Sequence, residues 1–251
     1  MGLNHVRGGG GEPLLLVHPL GADIVVWEPV FARLAAERHV IAVDLPGFGG
    51  SPPLANGADP TPHALAAELA CFLDSIGVAR AHVAGISLGG WVALELAKAG
   101  RAMSVTGLCS AGFWRRPIGP REGPDIRRVG RLLLPAVPAI VRSGRGRRAL
   151  LRGSIGHPER VPPRAAARLV RSYVTSPGFE AANAAMRAAV FSGADQIDAP
   201  VTLAWGELDR LLRRPRTKPS HWRSFTLRDC GHIPTWDDPA QVARVLLAAS
   251  S

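Results

Sequence analysis

Ser87 lies in the stretch GISLG, residues 85–89, at the point where an apolar run gives way to a helix-like one. A serine between two glycines at a strand-to-helix turn is a pattern that displays a nucleophile. With 28 glycines in 251 residues the pattern also arises by chance. Because a serine hydroxyl is a weak nucleophile that needs a base, the functional interpretation of Ser87 depends on whether the chain supplies partners.

Two later loops supply the partners that a reactive serine needs. His232, in DCGHIPTW, follows an apolar run and is placed to act as a base. Asp209, in LAWGELDR, follows another apolar run, and its carboxylate could orient the histidine and stabilise the imidazolium. Glu207 is the alternative acid, because the short, proline-containing segment 211–222 could shift this loop. We predict Ser87, Asp209 and His232 as catalytic residues.

Two backbone N–H groups are predicted to form an oxyanion hole. Leu88 begins the helix behind the serine, where unpaired N–H groups and the helix dipole favour negative charge. Leu20 follows an early apolar run, and Pro19 before it has no N–H to donate. We expect the adjacent His18 to shape this loop rather than to react.

Short apolar strands alternate with longer amphipathic segments, which predicts a mostly parallel sheet with helices on both faces. The predicted strands are residues 13–18, 39–44, 81–85, 104–109, 200–205 and 222–227, with an additional N-terminal strand at 3–7. The predicted helices are residues 28–37, 62–76, 88–99 and 238–250. Residues 113–195 break the alternation and contain helical fragments at 164–174 and 178–191. We interpret 113–195 as a helical insertion that separates two parts of a core domain, 1–112 and 196–251.

The charge is unevenly distributed along the chain. The formal net charge is +10, yet residues 113–171 hold 15 arginines against Glu122, Asp125 and Glu159. Three interpretations remain open: a compositional bias that gives a solvated surface, steering of anionic substrates, or contact with an acidic membrane or nucleic acid. No nucleic-acid-binding motif accompanies the arginines.

Composition also indicates the cellular location of the protein and the redox state of its cysteines. The longest apolar runs fall well short of the roughly 20 residues that span a bilayer, and the N-terminus does not resemble a secretory signal, so we expect a cytoplasmic protein. The three cysteines are too scattered for a disulfide framework or a zinc site. We expect reduced thiols, with Cys71 and Cys109 buried. The sequence leaves the oligomeric state open.

Five ordered motifs resemble those of the α/β-hydrolase superfamily, over about residues 12 to 249. HPLG resembles the family's oxyanion segment, DLPGFGGS its glycine-containing loop, GISLGG its nucleophile elbow, and WGELD and GHIPTWDDP its acid and histidine loops. The resemblance implies an α/β-hydrolase fold, with the family's chain order of triad residues in Ser87, Asp209 and His232. It also implies that 113–195 is a cap, or lid, over the site.

The resemblance implies a serine hydrolase that uses neither cofactor nor metal and cleaves a small carboxylic ester or lactone through an acyl-enzyme on Ser87. HPLGADIVVWEPV is similar to the corresponding segment of enol-lactone hydrolases. Related enzymes that cleave carbon–carbon bonds usually carry Trp directly after the histidine, where this chain has Ile233. Thioesterase, perhydrolase and acyltransferase activities remain open, as does a non-catalytic protein that binds a ligand in the same pocket.

Overall fold

Seven β-strands form a single sheet in the computed structural model, which describes residues 2–119 and 126–251. The strands are β1 (His5–Gly8), β2 (Pro13–Val17), β3 (His39–Val43), β4 (Ala81–Ile86), β5 (Ala102–Leu108), β6 (Val201–Gly206) and β7 (Arg223–Leu227). Their order in the sheet is β1-β3-β2-β4-β5-β6-β7. All neighbours pair in parallel except β1 and β3, which are antiparallel. The predicted fold class is therefore confirmed.

The central strands are continuous apolar runs because helices cover both faces of the sheet. β4 is buried along its whole length, and β2 and β3 are buried after their first residues. Burial on both faces removes the alternation of apolar and polar residues that a one-sided sheet would show. Because parallel strands all end at the same edge, the loops after β2, β4, β5, β6 and β7 meet there.

Nine helices accompany the sheet in the described part of the chain. They are α1 (Glu28–Ala35), α2 (Pro62–Ser75), α3 (Leu88–Lys98), α4 (Ile126–Leu133), α5 (Val137–Ile140), α6 (Gly144–Leu151), α7 (Pro163–Thr175), α8 (Phe179–Arg187) and α9 (Pro239–Ala249). The side chains of Thr61 and Asp238 cap α2 and α9, as their sequence positions indicate. None of the helices within the described ranges has the length and hydropathy needed to cross a bilayer.

Helices α4 to α8 all lie between β5 and β6, in the segment 113–195, which we call the cap segment. It shares apolar packing with α1 and α9 on one face of the sheet. The predicted helix at 178–191 ends earlier, at Arg187, because the following residues turn back and the Phe191 N–H donates to Gly112 O (2.9 Å). Glu122 and Asp125 lie outside the described residues. The division into core and cap domains remains a proposal.

The connection between β6 and β7 contains no helix, in agreement with its two prolines. Trp222, at the end of this connection, is fully buried. It packs against the rings of Phe113 and Phe191, with ring centroids 6.4 and 6.2 Å away. This packing anchors the end of the connection in the apolar core.

Candidate active site

Ser87 adopts a strained backbone conformation directly after β4. Its φ of 55° and ψ of −115° lie in a region that residues other than glycine rarely adopt. The Ser87 N–H donates to Leu108 O and its carbonyl accepts from the Ala111 N–H, both at 2.9 Å. The end of β5 therefore holds the serine in the conformation of a sharp strand-to-helix turn.

The two glycines around Ser87 are required by backbone packing. A Cβ on Gly85 would lie 2.1 Å from Gly89 O, and a Cβ on Gly89 would lie 2.2 Å from Val17 O. Both distances are far below van der Waals contact, and the opposing atoms are backbone that cannot rotate away. The same contact shows that the start of α3 packs directly against the end of β2.

This packing brings together the two segments predicted to hold an oxyanion. Leu88 is the first residue of α3, where N–H groups have no intrahelical acceptor, and Leu20 lies in the turn after β2. The turn, loop and cap hydrogen bonds among the described residues use neither of these two N–H groups. Both N–H groups are available at this edge of the sheet, while their role as an oxyanion hole remains a prediction.

His232 and Asp209 form a hydrogen-bonded pair at the ends of β7 and β6. His232 Nδ1 lies 2.8 Å from Asp209 Oδ2, and both side chains are almost fully buried. With Nδ1–H donated to the carboxylate, Nε2 keeps its lone pair and can accept a proton. The acid and base predicted from separate loops are therefore in contact.

The Asp209 carboxylate is also held by the backbone after it. Asp209 Oδ1 accepts from the N–H groups of Leu211 (2.8 Å) and Leu212 (3.0 Å). Burial opposes ionisation, but the hydrogen bond and charge of His232, together with these two N–H groups, lower the pKa of Asp209 below its ordinary value. The group is therefore a carboxylate at neutral pH.

Glu207, the alternative acid, faces away from the histidine ring. Its carboxylate accepts from the Asp229 N–H at 3.0 Å, and the residue is exposed. The geometry therefore favours Asp209 over Glu207 as the partner of His232.

Within the described residues, Ser87 Oγ makes no hydrogen bond with the His232 ring, so proton transfer requires the two side chains to approach. Catalytic hydrogen bonds in unliganded enzymes often tighten only when substrate binds. Cys109, at the end of β5, connects the two loops: its Sγ accepts from the Gly206 N–H (3.3 Å) and lies 3.8 Å from Gly231 O. The end of β6, which precedes Asp209, and the histidine loop thus pack around one buried residue.

Sequence analysis did not assign a place in the site to Cys109. Its φ of 46° is a left-handed conformation, and its sulfur, an Asp209 oxygen and a His232 nitrogen lie within 4.8 Å of one another. Among the described residues this is the one cluster of metal-ligand type. Burial raises the pKa of the Cys109 thiol well above its ordinary value, so the thiol is protonated at neutral pH. The cluster is therefore a hydrogen-bonded histidine–carboxylate pair beside a neutral thiol.

The expected burial of the cysteines was partly wrong. Cys109 is buried, but Cys71 is exposed and Cys230 is buried instead. Cys71 lies on the solvent side of α2, whereas Cys230 lies in the histidine loop under α9, where burial raises its pKa to about 12.

Asp237 fixes the histidine loop to the cap segment, and sequence analysis missed this as well. Its carboxylate accepts from the N–H groups of Gly231 (2.7 Å), His157 (2.7 Å) and Gly156 (3.0 Å). The Ile233 N–H also donates to the carbonyl of the cap-segment residue Ser154 at 2.8 Å. Ile233, directly after His232, is therefore held by the cap segment, and Gly231, directly before it, shares the Asp237 carboxylate with two cap-segment N–H groups.

A second contact joins the cap segment to the same loop near the surface. His157 Nε2 lies 2.7 Å from Asp229 Oδ1, and Arg160 approaches the other oxygen at 3.6 Å. The hydrogen bond to Asp229 raises the pKa of His157, and the same bond lowers the pKa of Asp229. Glu159 lies 3.4 Å from the other ring nitrogen of His157.

His18 and Asp44 organise the loops beside the oxyanion segment. The Leu45 N–H donates to His18 Nε2 (2.9 Å), and His18 Nδ1 donates to Pro19 O (2.8 Å). Burial lowers the pKa of His18, although the Asp44 charge opposes this, so the ring is neutral and bridges two loops. Asp44 accepts from the N–H groups of Ile24 and Gly50, both at 2.8 Å. Both residues have structural partners.

Residues 14–245 match the model of the alpha/beta hydrolase family. The chain belongs to the α/β-hydrolase family. This match covers nearly the whole chain and agrees with the sheet order and the strained serine turn described above.

Individual relatives of this α/β hydrolase match over shorter stretches. It is 42% identical over 108 residues to the dihydrolipoyllysine-residue acetyltransferase component of an acetoin cleaving system from Pseudomonas putida, covering 42% of this chain and 29% of that protein. It is 40% identical over 97 residues to a pimeloyl-[acyl-carrier protein] methyl ester esterase from Aeromonas salmonicida, covering 39% of this chain and 36% of that protein. Each match spans well under half of the relative's length.

Among solved structures, the fold is similar to that of a bacterial membrane phospholipase A, described as a virulence factor. The TM-score is 0.75 at 26% identity, and the match covers 99% of this chain and 83% of that one. The hydrolase architecture is therefore shared over the full described chain.

Proposed function

We propose that this α/β hydrolase is a serine hydrolase that cleaves a carboxylic ester or lactone through an acyl-enzyme on Ser87. The observation that carries the proposal is the buried 2.8 Å contact between His232 and Asp209 at the sheet edge where Ser87 lies in its strained turn. Ionised Asp209 fixes the tautomer in which His232 Nε2 can accept a proton.

In the proposed reaction Ser87 Oγ attacks the substrate carbonyl as His232 Nε2 takes the hydroxyl proton. The N–H groups of Leu88 and Leu20 stabilise the resulting oxyanion, and each such donor contributes about 3 to 4 kcal/mol in related chemistry. Collapse of the tetrahedral intermediate breaks the ester C–O bond, and the His232 proton moves to the leaving alkoxide. Water then attacks the acyl-enzyme by the same route, releasing the acid and restoring Ser87.

The names of similar proteins support ester cleavage without identifying the substrate. One relative is named as a methyl ester esterase and one similar structure as a phospholipase A, and both names denote ester hydrolysis. Another relative is named as an acetyltransferase component, so the family fold alone does not choose the reaction. A panel of esters, lactones and thioesters with one common acyl group would identify the preferred leaving group. An oxygen ester or lactone is expected to give the highest kcat/KM.

The second candidate is a non-catalytic member of the family that binds a ligand in the same place. A fluorophosphonate probe separates the two, because it reacts only with a serine activated by a base. We expect labelling of the wild-type protein and none of Ser87→Ala. Ser110→Ala is the matched control: this buried neighbour donates to Ala111 O and should leave labelling unchanged. A folded wild-type protein that stays unlabelled would contradict the proposal.

We further propose a small-molecule substrate and a cytoplasmic location, with no role in nucleic-acid binding. These proposals follow from composition and from the lack of a nucleic-acid-binding motif in the sequence.

A further inference from the structure

Helix α4 presents apolar side chains to solvent and buries an arginine. The exposed fractions are 79% for Leu132, 55% for Val129, 49% for Ile126 and 48% for Leu133. Arg127 on the same helix is only 3% exposed. This is the reverse of the usual surface helix, in which the apolar stripe faces the core.

The reversal is fixed by the packing of α4 against α7 and α8. Arg127 Nε donates to Tyr173 O (2.8 Å), Nη2 donates to Ser176 O (2.7 Å), and Nη1 pairs with Glu180 (2.8 Å). A Cβ on Gly130 would lie 2.6 Å from Val174 Cγ1, so the helices are in close contact. These contacts fix which side of α4 faces inward.

The apolar exposure is concentrated on this helix. The described residues include nine large apolar side chains that are exposed by more than about a third, and four of them lie on the eight residues of α4. The other five are Val6, Ile118, Leu150, Leu211 and Phe225. Single exposed apolar residues are ordinary, but a contiguous cluster indicates an interaction site. We call Ile126, Val129, Leu132 and Leu133 the apolar ridge.

The segment of the chain that carries the apolar ridge is strongly cationic. Residues 113–171 contain 15 arginines and three acidic residues. Arg131 on α4 is exposed, as are Arg142 and Arg145 shortly after it. An occupant of this surface must therefore be apolar where it meets the ridge and anionic around it. A bilayer of acidic phospholipids has this combination, because arginine stems lie among apolar groups while the guanidinium binds phosphate.

The size and shape of the ridge favour a lipid surface over a protein partner. Eight helical residues rise about 12 Å, and one face of so short a helix presents far less area than the roughly 800 Å² per partner of a standard protein interface. The ridge also projects from a single helix instead of lining a groove. A short helix with an apolar face beside arginines matches shallow insertion at the boundary between headgroups and acyl chains.

We propose that α4 docks this protein on anionic lipid bilayers, with the apolar ridge entering the interface and the neighbouring arginines binding lipid phosphates. The inference rests on the cap segment and is independent of the chemistry at Ser87.

Co-flotation of the full chain with vesicles tests the proposal. We expect binding to phosphatidylcholine vesicles that contain phosphatidylglycerol and little binding to pure phosphatidylcholine. Leu132→Glu should lower the partition coefficient about tenfold or more, since it removes the most exposed apolar group and adds a charge that acidic lipids repel. Arg131→Gln should weaken binding less and reduce its dependence on salt.

Phe225→Glu is the matched control, because Phe225 is 47% exposed but lies on the edge strand β7, outside the cap segment. It should bind vesicles like the wild type. Equal binding by Leu132→Glu and the wild type would overturn the proposal, as would equal losses in Leu132→Glu and Phe225→Glu. Binding of an acidic protein without binding of any vesicle would overturn the lipid assignment. The melting temperature and the circular dichroism spectrum confirm that each variant is folded.

Discussion

Single residues divide into those that a local pattern reveals and those that only the fold reveals. Ser87 could be predicted because glycines at 85 and 89 are imposed by backbone contacts that leave a trace in the sequence. His232 and Asp209 could be predicted because each follows its own strand. Cys109 could not, since its contacts come from loops about 100 residues or more away in the chain.

The pairing of His232 with Asp209 predicts that replacing one carboxylate oxygen of Asp209 by an amide nitrogen greatly lowers the turnover rate. Asp209→Asn should lower kcat by about 10⁴-fold, because an amide no longer stabilises the imidazolium and favours the wrong tautomer. Steady-state kinetics on a chromogenic ester, with the melting temperature as a check on folding, measures this. Glu207→Gln is the control and should retain activity. Loss of activity in Glu207→Gln, with activity kept in Asp209→Asn, would identify Glu207 as the acid in place of Asp209.

At the level of elements, the alternation of strands and helices gave boundaries within about two residues for most strands. The antiparallel pairing of β1 with β3 was not predictable, because a four-residue strand at a sheet edge carries no pattern that specifies its partner. The contacts between the cap segment and the histidine loop could not be predicted from the sequence either. They depend on backbone N–H groups, whose positions side-chain patterns do not encode.

The Asp237 carboxylate is predicted to stabilise the fold and to hold His232, the proposed base, in place. Asp237→Asn should weaken the three N–H contacts, since an amide offers one acceptor atom where the carboxylate has two. We expect a loss of about 1 to 3 kcal/mol in the free energy of unfolding, together with a lower kcat. Urea unfolding and ester kinetics measure the two effects.

Asp238→Asn provides the control beside it, because Asp238 caps α9 and asparagine is an equally good cap. It should change little. Equal effects of the two substitutions would show that Asp237 has no special role in positioning the histidine loop.

The contact between His157 and Asp229 predicts a pH-dependent contribution to stability. The pKa of His157 is raised from 6.5, so its contribution is complete below that value and is lost as pH rises through the raised pKa. The pKa of Asp229 is lowered from 3.8, so its contribution is present above that value and is lost as pH falls through the lowered pKa. The pair should therefore stabilise the fold most between these two ordinary values.

His157→Gln should accordingly lower the melting temperature most between about pH 4 and pH 6.5, and progressively less towards alkaline pH. Thermal unfolding in a pH series measures the difference from the wild type. His221→Gln, a substitution of an exposed histidine after β6, is the control. A His157→Gln effect that is constant with pH would show that packing, not charge, accounts for it.

At the scale of the whole molecule, the most prominent property is the uneven distribution of charge along the chain. The net charge of +10 combines a balance of +12 in residues 113–171 with −2 in the remainder. The uneven charge could be read from the sequence alone. The exposure of an apolar helix in the same segment could not. That feature depends on Arg127 turning inward, which a helical pattern of arginines and leucines would not suggest.

This charge predicts a salt effect that depends on the substrate. The kcat/KM for an ester with a carboxylate on its acyl group should fall as salt rises from about 0.02 to 0.3 M, because screening weakens long-range attraction. A neutral ester with the same leaving group is the control and should be nearly insensitive. Parallel salt dependence of the two substrates would exclude steering by the arginines.

The connection between β6 and β7 is a place where the length of the chain can vary among related proteins. One end is fixed by the Asp209 carboxylate on the Leu211 and Leu212 N–H groups, and the other by buried Trp222. Between these anchors most residues are exposed, and the hydrogen bonds that they donate come from the side chains of Arg214 and Lys218. Added residues therefore perturb few backbone contacts. Insertions and deletions during evolution are therefore expected to accumulate at about 213–220, and an engineered tag or reporter domain would be tolerated there.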